Sequence, residues 1–222
     1  MKKRRRRTMP NWCSNTVDVY GSKKDITRFK EFVEGKDTQF SFDSILPMPS
    51  ALRGTSAPTT IVSQEAYEEW MESSYERKRQ QELGTDYSIE MEGLEGRPLT
   101  QELSLKYLRQ YGNDNWYDWA YDNWGTKWDL DEKEILASIE PTSLMYKFDT
   151  AWNPPYGIYR ELVKRFPKLK MGWRYEEEGM ELHGNLANEE VPNRESARDL
   201  NERIAKILTG MQGNEAQVNT YS

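Results

Sequence analysis

Residues 15–33 read NTVDVYGSKKDITRFKEFV, and this run sets the fold class. Val17 and Val19 alternate with Thr16 and Asp18, the period-two pattern of a strand with one buried face. Gly21 stops the strand. Ser22 follows as an N-cap, with Asp25 three residues on. Ile26, Phe29, Phe32 and Val33 then recur at helical spacing, and Gly35 closes the helix. The chain therefore opens as strand, turn, helix.

Further along, Phe40 and Phe42 alternate within residues 39–46, and this predicts a second strand that stops at Pro47-Met48-Pro49. Residues 50–63 are rich in Ser, Thr, Pro and Ala and read as a loop. Residues 64–82 form a charged helical pattern with Tyr67, Trp70, Met71 and Tyr75 on one stripe. Two shorter helices are expected over residues 100–110 (Leu103, Tyr107, Leu108) and 114–123 (Trp116, Trp119, Ala120). Residues 50–125 thus read as a helical insertion. Strand character returns over residues 134–139 and 143–150, a hairpin joined at Pro141-Thr142. Pro154 and Pro155 open a helix with Ile158, Tyr159, Leu162, Val163 and Phe166 on its apolar face. A second hairpin follows over residues 169–175 and 180–186, and a last helix over 194–208. Two βαβ-type halves flanking an insertion predict an α+β, ferredoxin-like mixed or antiparallel sheet with helices on one face. The expected organisation is a disordered basic arm at residues 1–8, one domain over 9–210, and a flexible tail at 211–222.

Composition narrows the chemistry. Eight Trp and thirteen Tyr offset a hydrophobic content of 36%, so a few large rings build the core. No apolar run spans a bilayer, and no membrane association is expected. One cysteine, Cys13, and one histidine, His183, exclude an intramolecular disulfide and a Cys/His zinc site. The net charge is −6, yet residues 2–7 alone carry six positive charges, leaving 25 basic against 37 acidic residues elsewhere, a net −12. Such an acidic body repels phosphate backbones. The arm formed by Lys2, Lys3, Arg4, Arg5, Arg6 and Arg7 is the part suited to nucleic acid.

Three segments concentrate unusual residues. Residues 123–129, NWGTKWD, set two Trp four apart beside Asn123, Lys127 and Asp129. They read as an aromatic ligand platform or as rings plugging a gap after a helix. Residues 148–155, FDTAWNPP, end a strand and begin a helix, where free backbone N–H groups suit an anion unless Thr150 or Asn153 caps them. Residues 10–15, PNWCSN, precede the first strand; Cys13 there reads as a buried thiol, His183 as a surface residue of an alternating strand. Walker A, GxGxxG and HExxH motifs do not occur. No catalytic set, cofactor or metal is expected. The candidate binding residues are Asn11, Trp12, Asn123, Trp124, Lys127, Asp129, Thr150 and Trp152.

MPNWCSN at residues 9–15, ILPMP at 45–49, NWGTKWD at 123–129 and FDTAWNPP at 148–155 resemble the YubB ferredoxin-like family of phages and conjugative plasmids. WRYEEEG at 173–179 and Gly184 are similar to its closing hairpin. The resemblance implies a ferredoxin-like domain and a mobile-element origin, and no catalytic residues. The chain departs from the pattern in its basic extension before Met9 and in Asn153, where Ser is expected. The functional expectation is an accessory protein that binds a host protein or small ligand in the host cytoplasm, with counteraction of host defence as one outcome of that binding. The alternatives are a nucleic-acid binder using residues 2–7 and a metal-dependent hydrolase of a nucleotide-like substrate acting at the Trp/Lys/Asp segment.

Overall fold

The computed structural model describes residues 11–81, 95–131 and 135–186. The predicted arm, the helix at 194–208 and the tail lie outside the described residues. Of the described chain, the part up to Pro47 and from Ala120 onward forms one compact unit, and Met48–Trp119 forms another.

The first unit carries a five-stranded sheet. Its strands are β1 (Trp12–Tyr20), β4 (Leu136–Glu140), β5 (Ser143–Ala151), β6 (Lys170–Glu177) and β7 (Leu182–Asn185). Their order is β4-β5-β1-β6-β7, every neighbouring pair antiparallel. β5 and β6 therefore run parallel with β1 between them, joined through α6 (Tyr156–Arg165). β1 and β4 likewise flank β5, joined through α1 (Lys23–Val33) and everything up to residue 135. Two interleaved split βαβ units make this sheet ferredoxin-like.

Strand alternation fixes what each face does. Cys13, Asn15, Val17 and Val19 of β1 point inward, as do Leu144, Tyr146, Phe148 and Thr150 of β5 and Trp173, Tyr175 and Glu177 of β6. α1 contributes Ile26, Phe29 and Val33 to the core, and α6 contributes Ile158 and Leu162. Phe40 binds the core together, with ring centroids 5.0 Å from Tyr146, 5.3 Å from Phe148 and 6.3 Å from Trp173. The outer face presents Ser14, Lys147, Asp149, Arg174 and Glu176 to solvent.

The strand predicted over residues 39–46 is absent. Phe42–Ile45 is a one-turn helix, α2. Ser41 caps it, accepting from the Ser44 N–H at 3.1 Å. The Asp129 carboxylate takes the N–H groups of Phe42 and Asp43 at 2.6 and 3.1 Å. With its donors satisfied from a distant segment, this stretch has no need of a ladder. Phe40 and Phe42 are both fully buried, so their alternation recorded burial rather than strand pairing.

The second unit holds a 3-10 turn (Ser50–Leu52), the short parallel pair β2 (Ile61–Val62) and β3 (Leu99–Thr100), α3 (Gln64–Gln81), α4 (Gln101–Tyr111) and the start of α5 (Trp116–Trp124). Thr100 caps α4, and Gly112 ends it at φ +80°. Polar groups are buried here: Asp114 accepts from Thr59 Oγ1 at 2.8 Å and Ser104 Oγ at 2.6 Å, and Thr55 Oγ1 accepts from the Trp116 N–H at 3.0 Å. Arg97 is fully buried and donates to the Ala51 carbonyl.

Candidate functional site

The three segments singled out in the sequence meet at one end of the sheet, where β1 begins and β5 ends. Trp12 pairs with Ala151 across the ladder, and the Trp152 N–H donates to the Asn11 carbonyl at 2.9 Å. Residues 123–125 dock backbone to backbone on residues 154–157. A Cβ on Gly157 would lie 1.6 Å from the Asn123 carbonyl oxygen, and one on Gly125 would lie 2.7 Å from the Tyr156 nitrogen. Gly125 also sits at φ +92°, where side chains are strained. The NWG and PPYG sequences are therefore two halves of one close contact. Thr126 secures it, its hydroxyl donating to the Ala151 carbonyl at 3.0 Å.

Beneath this contact runs a buried polar network. Asn15 donates to the Cys13 carbonyl at 2.8 Å and to Thr150 Oγ1 at 2.9 Å, and its Oδ1 accepts from Trp173 Nε1 at 3.1 Å. Thr150 Oγ1 donates to the Asn153 carbonyl at 2.7 Å. Neither Thr150 nor Asn153 caps α6, whose N-cap position is Pro155 and has no side-chain hydrogen bond. Cys13 is enclosed beside Thr150, and burial pushes its thiol up to about 12. A thiol held protonated in this way is not a nucleophile at neutral pH.

The candidate residues separate into inward and outward sets. Trp124 turns inward: it is buried, its Nε1 donates to the Leu46 carbonyl at 2.8 Å, and its ring lies 6.1 Å from Phe42. Asp129 also serves the interior. Its oxygens accept from Ser41 Oγ and from the N–H groups of Phe42, Asp43 and Leu130. The hydrolase expectation drew on this carboxylate, and a group so fully engaged does not support it. Asn123 is half-buried, its main chain held against Gly157.

Trp12 and Trp152 lie outward, together with Trp128 and Tyr121, and Lys127 beside them is half-buried. Trp12 is 44% exposed, Trp128 42% and Trp152 41%. The Trp12 and Trp128 ring centroids are 6.5 Å apart, and the Lys127 ammonium lies 4.4 Å from the Trp128 centroid, a cation–π contact. Tyr121 is exposed, and its hydroxyl accepts from Asn153 Nδ2 at 3.2 Å. Trp152 occupies φ +70°, a left-handed conformation that a bulky side chain rarely takes. Asn11 is half-buried and reaches Gly179, where a Cβ would meet its Nδ2 at 2.6 Å.

Trp128 and Asn15 belong to this end of the sheet and were not among the candidate residues. Trp128 lay within the quoted NWGTKWD segment. Asn15 was legible as a polar residue at an apolar strand position. Among the described residues, no cluster of three or more His, Cys, Asp or Glu is placed to hold a metal ion, and no helix is long and apolar enough to cross a membrane.

Comparison with known proteins bears on the same segment. Residues 123–207 match the family model of the ferredoxin-like domain in Api92-like protein. The matched stretch begins at the Asn123 contact and runs through β4, β5, α6, β6 and β7. The motifs at residues 123–129, 148–155 and 173–179 fall inside the matched stretch and those at 9–15 and 45–49 outside it; the matching model is the Api92-like domain, not the YubB family, and its description names a fold and no activity. Among solved structures, the crystal structure of protein api92 from Yersinia pseudotuberculosis aligns with 85% of this chain and 99% of its own, at 12% identity and a TM-score of 0.42. No curated protein matches the sequence.

Proposed function

We propose that this chain is a mobile-element accessory protein that acts by binding a host protein in the host cytoplasm, with Trp12, Lys127, Trp128 and Trp152 as the contact face, and that the contact blunts a host defence. The observation that carries this reading is Trp152. A non-glycine residue in the left-handed region costs roughly 1–3 kcal/mol, and such strain collects at functional sites. Here the strain delivers a ring that stays 41% exposed. Burial within the chain therefore does not return the full cost, whereas burial against a partner would. Tryptophan is the residue type most enriched where interfaces draw their energy, and three exposed rings, two of them 6.5 Å apart, fit that use. The motif resemblance supports the mobile-element origin. The protonated thiol of Cys13 and the engaged carboxylate of Asp129 support binding over catalysis.

Quantitative capture from host lysate tests the reading, comparing the wild-type chain with Trp12→Ala/Trp152→Gly. A host protein retained by the wild type and lost from the equally folded variant is the expected result. An identical set of captured proteins from both would end the proposal.

A second reading rests on position. The six cations of residues 2–7 lie five residues before the exposed ring of Trp12. That arrangement suits single-stranded nucleic acid, with phosphates on the arm and bases stacked on the rings. Deleting residues 1–8 would then abolish a salt-sensitive affinity for a single-stranded RNA oligonucleotide; no affinity in the intact chain at low salt would exclude it.

A further inference from the structure

β4 is an edge of the sheet, and its side chains are unusually bare. It pairs with β5 through five consecutive partners, from Leu136 against Lys147 to Glu140 against Ser143, and no described strand pairs with its other side. All five of its residues are exposed, Leu136 at 70% and Ile139 at 46%. The register puts Ala137 and Ile139 on the helix-covered face beside Tyr146 and Leu144, and Leu136 on the opposite face beside Lys147. One large apolar side chain therefore stands uncovered on each face, flanking a row of backbone donors and acceptors.

Sheet edges are ordinarily protected by proline, lysine, a bulge or an inward charge. β4 contains no proline and no lysine, its register is unbroken, and its inward positions hold Ala137 and Ile139. The opposite edge, β7, presents His183, Gly184 and Asn185 instead.

We infer that β4 receives an extended segment of a protein partner as a sixth strand, with apolar residues at alternate positions and basic residues flanking them. The geometry calls for a strand, because main-chain hydrogen bonds along the open edge supply affinity while Leu136 and Ile139 select apolar side chains on either face. Charge calls for the basic flanks. Asp131 and Glu140, the described charged residues that bracket the strand, are both acidic. A second copy of this chain would bring the same acidic pair to the edge. β4 pairs along the Ser143-to-Lys147 end of β5, whereas Trp12 pairs at Ala151, so this surface is separate from the tryptophan face and does not depend on it.

Selection of a random peptide display library on the immobilised full chain tests the assignment. The enriched peptides should share alternating apolar residues flanked by Lys or Arg. A fluorescein-labelled copy of the leading peptide should slow amide exchange across Leu136–Glu140. Ile139→Lys and Leu136→Lys, both at exposed positions, should weaken that peptide about tenfold or more, an effect above 1.4 kcal/mol, with unchanged circular dichroism, while Trp12→Ala leaves its affinity as it was. Peptides without alternation, or affinity indifferent to both lysine variants, would overturn the proposal. So would a dimer in sedimentation that Ile139→Lys dissolves, since the occupant would then be a second copy. Peptide binding lost with Trp12→Ala but kept with Ile139→Lys would remove the β4 site and leave the tryptophan face standing.

Discussion

Trp124 and Trp128 are four residues apart in one short segment, and they have opposite roles. Trp124 is buried against Phe42 with its indole N–H on the Leu46 carbonyl, so its polar atom and its ring are both satisfied inside the unit. Trp128 is 42% exposed, covered on one side by the Lys127 ammonium and near the ring of Trp12. Between them lies Gly125, whose positive φ reverses the chain against residues 154–157. Composition and spacing treat the two tryptophans as equals. The turn decides which one is buried and which one stays exposed.

The sharpest way to break this division is at the turn itself. Gly157→Ala would drive a methyl group into the Asn123 carbonyl, a clash of backbone on backbone with no flexible side chain to yield. The expected outcome is loss of soluble folded protein, read by circular dichroism and gel filtration. Next in size is Trp124→Ala, which leaves a cavity and an unpaired Leu46 carbonyl and should cost about 3–5 kcal/mol in urea unfolding. An unchanged urea midpoint would place Trp124 with the outward set instead.

Alkali sharpens the comparison from the core side. Burial raises Cys13 from 9.0 and Tyr146 from 10.0, each to about 12. Well below pH 9.0 both groups are neutral whether the chain is folded or not. As pH rises from 9.0 toward about 12 the unfolded chain ionises first, so stability falls across that window. Tyr146 also buries a hydroxyl with no hydrogen-bond partner among the described residues. Tyr146→Phe should therefore hold or raise stability at neutral pH and flatten the alkaline loss, measured by thermal melts across the window. The smallest effect on stability is expected from the outward set. Trp152→Gly relieves the positive φ while freeing the unfolded chain, and the melting midpoint should move by no more than about 1 kcal/mol equivalent. The same change should remove partner capture. A large destabilisation would mean that the exposed ring supports the fold.

Much of the sheet was legible because its residues report on one another locally. Val17 and Val19 alternate, Ser22 caps α1 with its hydroxyl on the Asp25 N–H, and the Pro141-Thr142 turn joins a hairpin whose strands lie where the alternation put them. The segment around Phe40 and Phe42 was not legible. Its alternation matched a strand, and the competing signal, the Asp129 carboxylate that holds α2, lies 87 residues away from Phe42. At the candidate site the sequence marked the segments but could not sort their side chains. Asp129 and Trp124 carry the chemistry of a ligand platform and were drawn into the interior by Phe42 and Leu46. Trp128, which remained outside, drew no separate notice.

By itself the sequence determined the alternation of strand and helix, the glycine and proline positions of the turns, the aromatic supply of the core and the acidity of the body. These follow from periods of 2 and 3.6 residues and from composition, which need no knowledge of distant neighbours. The tertiary structure alone decided that residues 123–125 pack on residues 154–157, that β1 lies between β5 and β6, and that the rings of Trp12 and Trp128 come within 6.5 Å of each other. Those outcomes depend on which backbones approach one another across separations from about thirty to more than a hundred residues, and such contacts leave no periodic trace along the chain.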